Sequence, residues 1–183
     1  MKISNSERLS LLILSEIHQQ LNINHGEINT QLISDAIIYD QTWAIDWEYS
    51  MLFGERVDPT PDKVSWTVDV LDMWDLIENS YQQLDAKQQT TLLSKLPSYV
   101  GKNPIFRGFD GNQEGEYYAI IRFLVHHMGR FEWLKERNLN THMLMSARYN
   151  HMLMVFKPIR RTLGIETTLH LSLDQLETVL KEY

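Results

Sequence analysis

The chain has 183 residues, 43% of them apolar and 22% charged, and a net charge of −7. That length gives one domain a sizeable core, and that balance excludes an intrinsically disordered chain. With no cysteine, disulfides, thiolate metal sites and cysteine nucleophiles are excluded, while the acidic total argues against broad nucleic-acid binding, which needs a basic surface.

Helix signals dominate the chain from its start. Ser4 three residues before Glu7 forms a capping box, and Leu9, Ile13, Ile17 and Leu21 follow at helical spacing. The apolar run 9–14 is interrupted by Ser10 and followed by Glu16 and His18, which is neither a signal peptide nor a membrane span. The expectation is therefore a cytoplasmic protein without a membrane partner. Asn24-His25-Gly26 breaks the first helix. A second is expected over 29–53, with Ile33, Ile37, Ala44, Trp47 and Met51 on one side and Gly54 at its end.

Thr60-Pro61 opens a third helix, because a proline at the first helical position forfeits no hydrogen bond. Its apolar stripe is Val70, Met73, Trp74, Ile77, Tyr81 and Leu84. The row Asp69, Asp72, Asp75 and Glu78 drifts around that helix and reads as a solvated face, with no histidine spacing to make a metal site of it. Asp85 with Gln88 caps a fourth helix that Pro97 stops. The segment 97–110, holding Gly101, Pro104 and Gly108, is the longest irregular stretch, a kind of loop that often carries function.

Asp110 caps a fifth helix, whose core stripe is Tyr117, Ile121, Leu124, Met128 and Phe131. A sixth is expected from 140 or 141 to Phe156, before Pro158, and Ser172 with Gln175 caps a last one. Seven helices and essentially no sheet give an all-α fold, organised as one domain over residues 1–183. Residues 1–100 carry 15 acids against 6 bases, and 101–183 carry 9 against 11. A mildly basic second part suits an anion or the acidic first part of another copy, while a solvated acidic face is the plainer reading of the imbalance.

Asn5, Arg8-Leu9, Gly108-Phe109-Asp110, Glu116, Tyr117, Arg122-Phe123, Val125, Gly129-Arg130-Phe131, Tyr149, Met152-Leu153 and His170-Leu171-Ser172 together resemble the YfbU family of small proteins. The resemblance is dense over 106–131 and sparse over 22–100. It implies an all-helical, oligomeric protein of the bacterial cytoplasm and brings no catalytic residues to carry over. Gly108, Phe109, Asp110, Glu116 and Tyr117 are its motif residues. Their expected role is structural: Gly108 takes a backbone geometry that a Cβ forbids, Phe109 plugs the core and Asp110 caps a helix. His126 and His127, and the tail 157–161, depart from the family pattern.

One constellation points to chemistry. Arg122, four residues, then His127 is similar to the motif of HEPN-type ribonucleases, which implies metal-independent RNA cleavage by a dimer. A histidine moves a proton near neutral pH and an arginine stabilises phosphate charge. At about 100° per residue, however, Arg122 and His127 lie some 140° apart on a helix, whereas Arg122, His126 and Arg130 share a face with Phe123 and Trp133 close by. Cations interleaved with aromatics suit base stacking, and they suit a buried packing face or an oligomer interface better. No phosphate loop, dinucleotide fingerprint, zincin motif or nucleophile elbow is present, so no cofactor and no metal are expected. The expected function is a self-associating protein-interaction or stress-regulatory module without catalytic activity. A ribonuclease or RNA-binding dimer that uses Arg122, His126, His127 and Arg130 is the alternative.

Overall fold

In the computed structural model, described over residues 3–23, 26–53, 59–97, 100–101, 103–163 and 170–183, helices follow one another along the chain. They are α1 (Asn5–Gln20), α2 (Thr30–Ile38), α3 (Trp43–Glu48), α4 (Ser50–Phe53), α5 (Asp62–Gln83), α6 (Ala86–Lys95), α7 (Gly115–His126), α8 (Ser146–Thr162) and α9 (Leu173–Leu180). A 3-10 turn spans Glu132–Leu134. Among the described residues the only extended pairing is one parallel bridge, Phe109 to Asn140. The fold is all-α.

Local chemistry sets several of the helix starts. The backbone N–H of Ser4 donates to Glu7 at 2.8 Å and that of Glu7 returns to Ser4 Oγ at 3.3 Å. The same reciprocal box holds Asp85 with Gln88 and Ser172 with Gln175. Each satisfies two backbone donors that a helix start leaves free. The stripe Val70, Met73, Trp74, Ile77 and Tyr81 is buried along α5, as its spacing requires.

Tertiary context rewrites three boundaries. The helix expected over 29–53 is divided into α2, α3 and α4, because Asp40 turns left-handed at φ +54° and the Gln41 N–H closes on the Ala36 carbonyl at 2.7 Å. Aspartate is among the few side chains that tolerate this conformation. Asn24, His25 and Gly54, expected to punctuate this region, lie outside the described residues. Helix α7 starts at Gly115, not at Asp110, since the Asp110 carboxylate takes the N–H groups of Asn112 (2.7 Å) and Gln113 (3.1 Å) into a turn first. Helix α8 begins later than expected and passes through Pro158 to Thr162. Met154 and Pro158 are both exposed, so the carbonyl that loses its donor can meet water.

The described helices form two compact units: Met1–Val64 with Ala119–Lys135, and Ser65–Tyr118 with Glu136–Tyr183. In the first, Trp43 packs edge-on against Trp47 and Phe123, with ring centroids 5.2 Å and 6.1 Å away. In the second, Trp74, Phe106, Phe109 and Tyr149 form a buried aromatic cluster joined by Tyr183. Met145 and Met152 are buried in the second unit, while Met143 and Met154 are exposed.

Candidate functional site

The residues singled out at 122–130 belong to the first unit. Arg122 and His126 are exposed on α7, one turn apart. His127 lies just past the helix end, three-quarters covered, with Nδ1 2.7 Å from the Asp35 carboxylate. Its ring stacks on Phe123 with centroids 4.9 Å apart, and Tyr39 covers it from 4.8 Å. Phe123 is itself 1% exposed, so that ring is unavailable as a platform for a nucleic-acid base. Gly129 turns the chain at φ +62°, and the Arg130 guanidinium sits over the Trp47 ring at 5.3 Å. Histidine and arginine are thus both engaged with aromatics of their own unit, an arrangement that fixes a helix end and orients the His127 imidazole.

The motif residues 108–117 belong to the second unit. Gly108 has φ +91°, and a Cβ there would lie 1.8 Å from the Leu139 carbonyl oxygen. That close approach lets Phe109 donate to Leu139 at 3.0 Å and accept from Thr141 at 3.1 Å. Phe109 is fully buried and stacks on Tyr117 with centroids 5.2 Å apart. The Tyr149 hydroxyl, its ionisation pushed well upward by burial, donates to the Gly108 carbonyl at 3.0 Å. Glu116 is exposed.

Two buried carboxylates escaped the sequence reading. Glu114 is 5% exposed and accepts the backbone N–H groups of Asp110 (3.0 Å), Met145 (3.0 Å) and Ser146 (2.7 Å), capping α8 from a distance. Burial opposes its ionisation, but these hydrogen bonds together outweigh burial and hold its carboxyl below the usual glutamate range. Glu78, expected on a solvated row, is 6% exposed, accepts from the Phe106 N–H at 2.8 Å and takes two 2.8 Å bonds from Arg137. Its neighbour Asp69 behaves as expected, with a half-exposed pair to Lys157. A carboxylate row says nothing of where the loop 97–110 will fold back over it.

The surface with the strongest physical demand is on α1. Ser15 is the one buried residue of that helix. Ser15 and the half-buried Leu11, Leu12 and His18 lie on one side, where His18 Nδ1 is 3.2 Å from Thr30 Oγ1 and Arg8 pairs with Asp40 at 2.8 Å. The regular stripe therefore faces outward: Leu9 is 60% exposed, Ile13 47%, Ile17 49%, Leu21 66%, and Leu14 beside them 60%. At about 100° per residue these five cover a sector of about 140° in which Ser6, Ser10 and Gln20 are the polar residues and no charge falls. Of sixteen large apolar side chains left exposed among the described residues, twelve lie in the first unit.

No helix among the described residues is long and apolar enough to cross a membrane. Among them, too, no three histidine or acidic residues gather closely enough to hold a metal ion.

A family model described as the YfbU domain matches residues 1–181. The UPF0304 protein MJECS11 of Methanocaldococcus jannaschii is 26% identical over 151 residues, covering 76% of this chain and 85% of that relative. That relative is archaeal, so the likeness does not by itself point to a bacterial source.

Proposed function

The chain belongs to the YfbU family, and we propose that this member is a non-catalytic module that pairs with a second copy of itself and works through protein contacts. The observation that carries this reading is the uncovered stripe Leu9, Ile13, Ile17 and Leu21, joined by Leu14. A partner of the same sequence fits it for two reasons. A twofold interface needs a self-complementary patch, and an uncharged apolar sector complements itself without any matching of sign. Two α1 helices laid antiparallel also set opposite dipole ends side by side.

Magnitudes favour a modest dimer. Covering five half-exposed aliphatic side chains contributes about 1 kcal/mol each, hence about 10 kcal/mol gross for two copies. Association costs about 4–15 kcal/mol, so at the low end of that cost about 6 kcal/mol remains, a dissociation constant on the order of tens of micromolar. The lack of cysteine supports a reducing compartment such as the cytoplasm.

Light scattering coupled to gel filtration, on wild type and on the double variant Ile13→Asp with Ile17→Asp, tests the reading. Wild type should approach twice the chain mass at about 500 micromolar, well above that constant, and the variant should stay at the chain mass with unchanged helical circular dichroism. A wild-type monomer at that concentration would sink the proposal.

A further inference from the structure

The second unit contains a cavity of about 460 Å³, within the range of about 300–1,000 Å³ typical of small-molecule sites. Among the described residues this unit leaves four large apolar side chains exposed. Two of them, Ile105 (44%) and Met143 (55%), line the cavity, and a third, Leu144, follows Met143 in the same loop. Apolar exposure in this unit is thus gathered around one concave site.

The polar groups of the lining are already engaged. Arg137 donates two 2.8 Å bonds to the buried Glu78 carboxylate. Arg107 donates to the Val100 carbonyl at 3.3 Å and Arg148 to the main-chain oxygen of Tyr183 at 3.2 Å, and all three arginines have further partners. Asn140 Oδ1 accepts the N–H groups of Gly111 (3.1 Å) and His142 (3.2 Å), and the Thr141 hydroxyl donates to the Met143 carbonyl at 2.6 Å. These bonds hold the loops together, so selection of an occupant falls to the apolar walls. Ile105, Phe106, Met143, Met145 and Tyr183 supply them, and the two unbranched methionines adapt their shape to a flat body more readily than branched side chains do.

We propose that this cavity binds a small neutral molecule of one or two aromatic rings, held between Ile105 and Met143 at the mouth and Phe106, Met145 and Tyr183 beneath. A ring seated there covers apolar surface that the chain itself leaves in water, and it leaves the fold's own ion pairs intact. This inference is independent of pairing through α1, which concerns the other unit.

Titration of the whole chain, labelled with carbon-13 in its methionine methyl groups, with indole, indoleacetate and tryptamine tests it by nuclear magnetic resonance. Indole should shift the Met143 and Met145 signals saturably at submillimolar to millimolar concentration, and the Met154 signal should stay in place. Indoleacetate and tryptamine, which add a charge of either sign to the same ring, should bind no more tightly than indole. Ile105→Ser with Met143→Ser should weaken indole at least tenfold, read from Met145, while Met154→Ser, exposed in the same unit outside the lining, should leave the affinity unchanged. Each single rim variant should weaken it severalfold, which keeps the test open if the double variant fails to fold. No saturable shift, indoleacetate binding tenfold tighter than indole, or unchanged affinity in the rim variants would each overturn the proposal. Shifts of Met143 and Met145 that follow protein concentration without any ligand would overturn it too, by giving the cavity to a second copy of the chain.

Discussion

The Glu114 carboxylate and the Ser146 backbone N–H lie 2.7 Å apart, so a side chain from the turn before α7 caps the first turn of α8, 32 residues away in sequence. The same carboxylate holds Asp110 and Met145, so three backbone donors converge on one buried anion. Glu114→Gln turns a charged acceptor into a neutral one with an N–H where an oxygen was needed. The expected cost is about 2–3 kcal/mol, or a fall of about 5–10 °C in the melting temperature, measured by thermal circular dichroism at neutral pH.

Because the folded state depresses the ionisation of Glu114, its contribution is fully present above the unfolded glutamate value of 4.5 and is lost as pH falls below it through the depressed folded value. Urea denaturation at pH 7, 4.5 and 3 should therefore show wild type losing stability on acidification faster than Glu114→Gln. Parallel acid limbs in the two proteins would contradict this role.

How much of this could be read from the sequence depends on how local the cause was. The capping boxes at Ser4, Asp85 and Ser172 and the stripe along α5 follow from residues within a turn or two of each other, and they were legible. The role of Glu114 was not, since its partners at 145 and 146 come from a different element. Nor was the burial of Glu78, which depends on the loop at 106 and on Arg137. The stripe at Leu9, Ile13, Ile17 and Leu21 shows a deeper limit. Periodicity identifies an apolar face, but it does not say whether the cover comes from the same chain.

Gly108 combines a left-handed φ of +91° with a forbidden Cβ position 1.8 Å from the Leu139 carbonyl oxygen. Gly108→Ala must either break the Phe109–Leu139 hydrogen bond or displace the strand-like pairing with Asn140. A loss of at least about 2–3 kcal/mol in urea denaturation is expected, above the cost of backbone strain alone. A change below about 1 kcal/mol would mean that the bridge is dispensable.

His127 serves in this account as a positioned aromatic partner of Asp35 and Phe123. His127→Ala should lower stability by about 1–2 kcal/mol by removing the ring contact and one of the two side-chain hydrogen bonds to the Asp35 carboxylate, Gln31 keeping the other. Purified wild type, incubated with structured and single-stranded RNA in the presence of EDTA, should leave the RNA intact. Cleavage that disappears in His127→Ala would instead assign Arg122 and His127 to catalysis.

The absence of cysteine from the chain makes α1 open to a direct test. Ile13→Cys places the only thiol near the middle of the outward stripe, and Met154→Cys places one at an exposed site, 61% accessible, in the other unit. Antiparallel pairing through α1 brings the two thiols introduced by Ile13→Cys within disulfide reach, a Cα separation of about 4.4–6.8 Å. Mild oxidation at about 200 micromolar protein, above the expected dissociation constant, should then convert most of Ile13→Cys to a covalent dimer while Met154→Cys stays monomeric. Equal cross-linking of the two variants, or none in Ile13→Cys, would contradict pairing through this face.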